Sequence, residues 1–162
     1  MYHENWKKNE TTFTCAKGIV FQLQIVFPVK KEPPVENFLQ IMYIEGWGSY
    51  IRIYEKDKKF QVHHVHIGYM GEHLPPCLFV IITKGWMVNM LQVKKCRCLV
   101  LKTNPQRVLK IKLIMYDGKP LIVTGKHVEI FLKLLQSNPH ILRLKDTCKF
   151  LWWFHKFVKQ TT

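Results

Sequence analysis

RVLKIKLIMYDGKPLIVT, residues 107 to 124, decides the fold class. Leu109, Ile111, Leu113 and Met115 occupy every second position, with Lys110 and Lys112 between them. Successive side chains of a strand point to opposite faces, so the pattern predicts a half-buried strand with a basic exterior. YDGKP supplies turn residues, and LIVT is expected to pair back as a short strand.

Working outward, GIVFQLQIVF (18–27) shows the same period-two alternation and reads as a strand. SYIRIYEKDKKFQVHHVHI (49–67) reads as a hairpin turning around Lys56, Asp57 and Lys58. LFVIIT, WMVNMLQV and RCLVL follow as strands separated by Lys84-Gly85 and Lys94-Lys95, while GYMGEHLPPC (68–77) is expected to be a loop. Helical spacing predicts three helices: over VENFLQIMYI after Pro34, over KHVEIFLKLLQS (126–137), and over TCKFLWWFHKFVKQ (147–160) capped by Asp146. The expectation is an α+β fold with a mainly antiparallel sheet and about three helices. A single domain would span residues 15–162 after a polar tail at 1–14.

With 48% hydrophobic and 13% aromatic residues the chain can bury a core. No apolar run reaches the roughly 18 residues of a membrane-spanning helix, so a soluble, intracellular protein with no membrane partner is expected. Five cysteines without a CxxC pair fit reduced thiols better than a disulfide scaffold.

The net charge of +14 is unevenly placed. Residues 1–90 carry ten Lys/Arg against eight Asp/Glu, whereas residues 91–162 carry fifteen against three. Such a field attracts phosphate backbones or an acidic protein, and its candidate surface comprises Lys94, Lys95, Arg97, Lys110 and Lys112. A solvated basic face is the bland counterpart of that reading.

FQVHHVHIGYM (60–70) concentrates His63, His64 and His66. On a strand, His64 and His66 would share a face, and Cys96 and Cys98 have the same relation. Two such chelating pairs, with Cys77 nearby, are candidate ligands for a tetrahedral zinc ion, the one cofactor the pattern admits. Metal-free packing of the cysteines is the alternative. His64-Val65-His66 is also the His-hydrophobe-His pattern of metal-dependent single-strand nucleases, but no tyrosine sits on a convincing downstream helix. GxSxG, Walker and dinucleotide motifs are absent, so a non-enzymatic protein is expected.

Several separated segments resemble the adenovirus early-region-4 thirty-four-kilodalton protein family. CAKGIVFQLQIVFPVKKEPPVENFLQI is similar to its Cys-x-Gly strand, proline and short helix; GWGSY to its Gly-aromatic-x-Ser-aromatic step; HHVHIGYM to its His/Cys-rich strand. KIKLIMYDGKPLIV resembles its basic strand ending in Tyr-Asp-Gly, and LLQSNPHILRLKDTC its later Leu, Asn and Cys positions. The likeness spans about residues 15–148, but the family's later cysteine-rich run is mostly missing. It implies an adaptor of the host nucleus, also reaching the cytoplasm. Such an adaptor joins host elongin and cullin ubiquitin-ligase components and a second large early viral protein to cellular targets, and supports late viral mRNA export. Leu144, Cys148 and Leu151 have the spacing of an elongin box, with Arg143 replacing the small first residue. Trp152, Trp153 and Phe157 on the last helix would offer a partner surface or complete the core. A basic module that binds nucleic acid, RNA included, is the competing expectation.

Overall fold

The computed structural model describes residues 12–14, 18–28, 31–35, 37–57, 59–100 and 108–137. The chain divides into two compact units, Met1–Asn89 and Met90–Thr162. Every strand pairing among the described residues is antiparallel, and two α-helices accompany the strands, so the class is α+β.

In the first unit, β1 (Thr12–Thr14) pairs with β2 (Val20–Gln22). β1 thus lies inside the stretch expected to be tail. The strand expected over residues 18–27 is cut short after Gln22, and beyond it only Ile25 bridges to Val35. Its alternation reports burial only over the second half of the stretch: Leu23, Ile25 and Phe27 are buried while Gln22, Gln24 and Val26 are exposed, but Ile19 is exposed and Phe21 half-buried.

The main sheet is built from β3 (Ile41–Trp47), β4 (Tyr50–Glu55), β5 (Phe60–His63), β6 (Phe79–Thr83) and β7 (Trp86–Asn89), in the order β5-β4-β3-β7-β6. The helix expected over residues 35–44 is therefore wrong. Only a single 3-10 turn, Phe38–Gln40, precedes β3, capped by the Asn37 side chain accepting from the Leu39 N–H at 2.9 Å. Ile41, Met42, Tyr43 and Ile44 are all buried. A strand covered on both faces carries a continuous apolar run, and that run also satisfies helical spacing.

A second correction concerns residues 68–77. Instead of a loop, α1 (Ile67–His73) forms about two turns and lies against β3 and β6. Gly46 of β3 makes the close approach feasible, since a Cβ there would stand 3.1 Å from the Ile67 Cβ. Ile44, Ile51, Ile53 and Met70, all with no exposed surface, form the core on this side of the sheet. Each such side chain contributes about 1.5–3 kcal/mol by leaving water. Asn89 is equally buried and donates to the Ile41 carbonyl at 2.9 Å, a bond that satisfies the amide inside this core.

The second unit contains β8 (Val93–Val100), β9 (Val108–Met115) and β10 (Pro120–Thr124) in the order β10-β9-β8, followed by α2 (Lys126–Ser137). β9, its turn, β10 and α2 match the sequence expectations. The break expected at Lys94-Lys95 is instead a register shift inside β8, after a 3-10 turn at Met90–Gln92. α2 packs on β9 and β10, with Val128, Phe131 and Leu135 buried along with Ile111, Leu113, Met115, Leu121 and Val123. The third expected helix, 147–160, lies outside the described residues.

Candidate nucleic-acid interface

The three-stranded sheet of the second unit has two chemically distinct faces. Its inward face carries the apolar residues above together with half-buried Cys96 and Cys98. Its outward face is set by register: Arg97 lies opposite Lys112, which lies opposite Ile122, and Leu99 lies opposite Lys110, which lies opposite Thr124. Lys95 is one step along β8 from Arg97 on the same face, and Lys94 sits in the register shift.

Arg97, Lys110 and Lys112 are exposed, and none joins an ion pair among the described residues. Between them Leu99 and Ile122 are also exposed. Strand neighbours stand about 4.7–4.9 Å apart, and like charges directly opposite each other destabilise a sheet. Neither Asp117 nor Glu129 forms an ion pair with Arg97, Lys110 or Lys112. Asp117 accepts from the Lys119 N–H at 2.9 Å within the β9–β10 turn, and Glu129 pairs with Lys133 at 2.8 Å along α2.

In the first unit, one end of the sheet combines exposed rings with a cation. The β3–β4 turn places Trp47 (74% exposed) and Tyr50 (48%) at the edge of solvent, with Gly48 at φ 61°, where a Cβ would be strained. The Lys84-Gly85 turn between β6 and β7 is held beside it, because the Gly46 N–H donates to the Gly85 carbonyl at 2.7 Å. Lys84 is exposed. The His64 ring stacks on Tyr50 with centroids 4.6 Å apart. Behind the turn, the Arg52 guanidinium lies over Trp47 at 5.8 Å and Phe60 at 5.2 Å while donating to Glu45 and to the Tyr54 hydroxyl.

The histidines do not form the expected same-face pair, because the strand ends at His63 rather than running to residue 67. His63 is the buried member. Its Nδ1 lies 3.1 Å from Glu32 Oε2, its Nε2 lies 3.1 Å from Gln61 Oε1, and its ring stacks on Phe27 at 3.7 Å. Burial pulls His63 below the ordinary imidazole value, against the upward pull of the Glu32 hydrogen bond and charge. His64 turns outward onto Tyr50, and His66 becomes the N-cap of α1, its Nδ1 accepting from the Tyr69 N–H at 3.2 Å.

The sulfur candidates are also dispersed. Cys77 is disulfide-bonded, contrary to the expectation of reduced thiols throughout, and a disulfide sulfur is not a thiolate ligand. Cys96 and Cys98 do share a strand face as expected, but burial pushes both thiols up, Cys98 to about 12. Among the described residues no group of three or more His, Cys, Asp or Glu gathers as a metal site. Leu144, Cys148, Leu151, Trp152, Trp153 and Phe157 lie outside the described residues. In the sequence Lys84 and Tyr50 stand out only as turn and strand residues, and Glu32 only as one position of CAKGIVFQLQIVFPVKKEPPVENFLQI. Nothing local in the sequence links Glu32 to His63 and His64, which lie some thirty residues further on.

No family model and no curated protein matches the chain. Among solved structures it is similar to the LytTr DNA-binding domain of a putative methyl-accepting/DNA response regulator from Bacillus cereus. The TM-score is 0.53 and the identity 20%, covering 69% of this chain and 94% of that one. At that identity the likeness is one of fold.

Proposed function

We propose that the chain is a DNA-binding module that uses no chemistry of its own. The observation that carries this reading is the outward face of the β8–β9 ladder, where Arg97 stands opposite Lys112 with Lys110 two residues along, in a unit whose described carboxylates lie elsewhere. A polyanion removes the like-charge cost of that face, and counterions released from the phosphates supply the driving force. Exposed Leu99 and Ile122 would pack on sugar and base edges. The first unit, taken by itself, offers ring faces and a cation in the turn cluster of Trp47, Tyr50 and Lys84, suited to a groove or to an unstacked base. The fold it shares with a DNA-binding domain supports the same reading.

The adaptor role is implied by a resemblance spanning about residues 15–148, and its candidate partner-binding residues, Leu144, Cys148, Leu151, Trp152, Trp153 and Phe157, lie outside the described residues. The nuclease alternative loses its geometry, because His64 and His66 serve a ring stack and a helix cap.

Fluorescence anisotropy with a 30-base-pair mixed-sequence DNA duplex tests the proposal. Three phosphate contacts predict a slope of log K against log salt of about −2.7. Binding that is absent at 50 mM salt, or that ignores salt, overturns it; tighter binding to RNA of the same length would move the proposal to RNA.

A further inference from the structure

We propose that Glu32 is a positioning residue for the DNA interface: its carboxylate clamps the His63-His64 step so that the His64 ring stays stacked on Tyr50. This rests on the reading of the 47–50 turn as a contact surface. Glu32 belongs to residues 31–35, a segment anchored by two backbone hydrogen bonds between Ile25 and Val35, at 2.8 and 3.0 Å. From there its two oxygens take different partners. Oε1 accepts the His64 N–H at 2.7 Å, and Oε2 accepts from His63 Nδ1 at 3.1 Å.

The His63 side chain has no exposed surface and that of Glu32 is 16% exposed, so the bond to His63 is shielded from water, while the bond to the His64 N–H lies nearer the surface. Charge-assisted bonds in such surroundings are short and directional. His63 is held besides by the Phe27 ring on its face and Gln61 at Nε2, and it cannot follow a moving Glu32. The first amide beyond β5 is thereby fixed, and that amide sets where the His64 ring leaves the backbone. No other bond to the His64 backbone amide competes for it, since the chain bends at residues 64–65 before α1.

The sign of the effect separates positioning from electrostatics. Glu32 carries negative charge near a proposed polyanion site, so if charge alone mattered its removal would strengthen binding. Positioning predicts the reverse. Glu32→Gln should weaken binding of the mixed-sequence duplex about 5- to 10-fold, about the net worth of one ordinary hydrogen bond, with the salt slope unchanged. The upfield ring-current shift of the His64 ring protons should disappear in the same variant. Glu129→Gln, which removes a charge on exposed α2, should leave both readouts alone.

Equal or tighter binding by folded Glu32→Gln, with His64 resonances unmoved, overturns the proposal. If the wild-type protein fails to bind any duplex, the DNA reading falls, and the His64 shift alone still decides the role of Glu32. Should Glu32→Gln not fold, Tyr50→Leu removes the other half of the stack and leaves the clamp intact. Wild-type affinity in Tyr50→Leu would equally refute the idea.

Discussion

Replacing Arg97 and Lys112 together by glutamine should make the protein a weaker DNA binder and a more stable fold. The two side chains face each other across β8 and β9, so the wild type carries a direct like-charge pair, which costs about 0.2–1 kcal/mol. Its removal should raise the melting temperature by about 1–3 °C for a chain of this size. Each lost phosphate contact lowers the salt slope by about 0.9; extrapolated to 0.15 M salt this is about 5-fold in affinity per contact, or about 30-fold for the pair. The assay is anisotropy across 50–300 mM salt, alongside thermal melting of free protein. Lys133→Gln is the control, because it removes a cation already paired with Glu129 on α2. An unchanged slope in the double variant would show that this face does not meet phosphate. A fall in melting temperature would show that the opposed cations are not a source of strain.

Two other outcomes follow from the buried groups. Because the folded value of His63 is depressed, its neutral form is favoured in the fold: the stability it contributes is complete above the unfolded value of 6.5 and is lost as pH falls through the folded value. Melting curves between pH 7.5 and 4.5 should therefore show a component of acid destabilisation that His63→Gln lacks, and equal pH profiles for the two proteins would contradict this. Cys98, pushed up to about 12 by burial, should be almost wholly protonated at pH 7.5. Iodoacetamide should thus label it far more slowly in native protein than after denaturation, and equal rates would place the thiol in water.

Where burial is one-sided, the sequence was legible. β9 and β10 alternate because one face packs on α2 and the other meets solvent, and α2 shows a clean apolar stripe because only one side is covered. β3 was misread for the opposite reason: with four successive buried residues its sequence has no period to detect. α1 escaped because Gly68, Gly71 and the two prolines after it resemble loop chemistry. Gly71 is accommodated there by packing, with Met87 Cε at 3.7 Å from where its Cβ would be. The basic face was readable at Lys110 and Lys112, whose alternation was plain. The opposition of Arg97 and Lys112 was not, since register is a property of two strands. For the histidines, periodicity assumed a strand continuing to residue 67. The chain instead bends after His63, which leaves His63 buried and separates His64 from His66.

The Glu32 clamp also bears on how this molecule avoids sticking to itself. β5 is the outermost strand of its sheet, only four residues long, with Phe60 and Val62 exposed on it. An open edge of that kind is a template for a neighbouring molecule's strand. Further pairing past His63 would need the His64 amide, and Glu32 already holds that hydrogen. A carboxylate from a proline-flanked loop thus ends the ladder where an incoming strand would extend it, and a fastening of two loops doubles as a stop against aggregation.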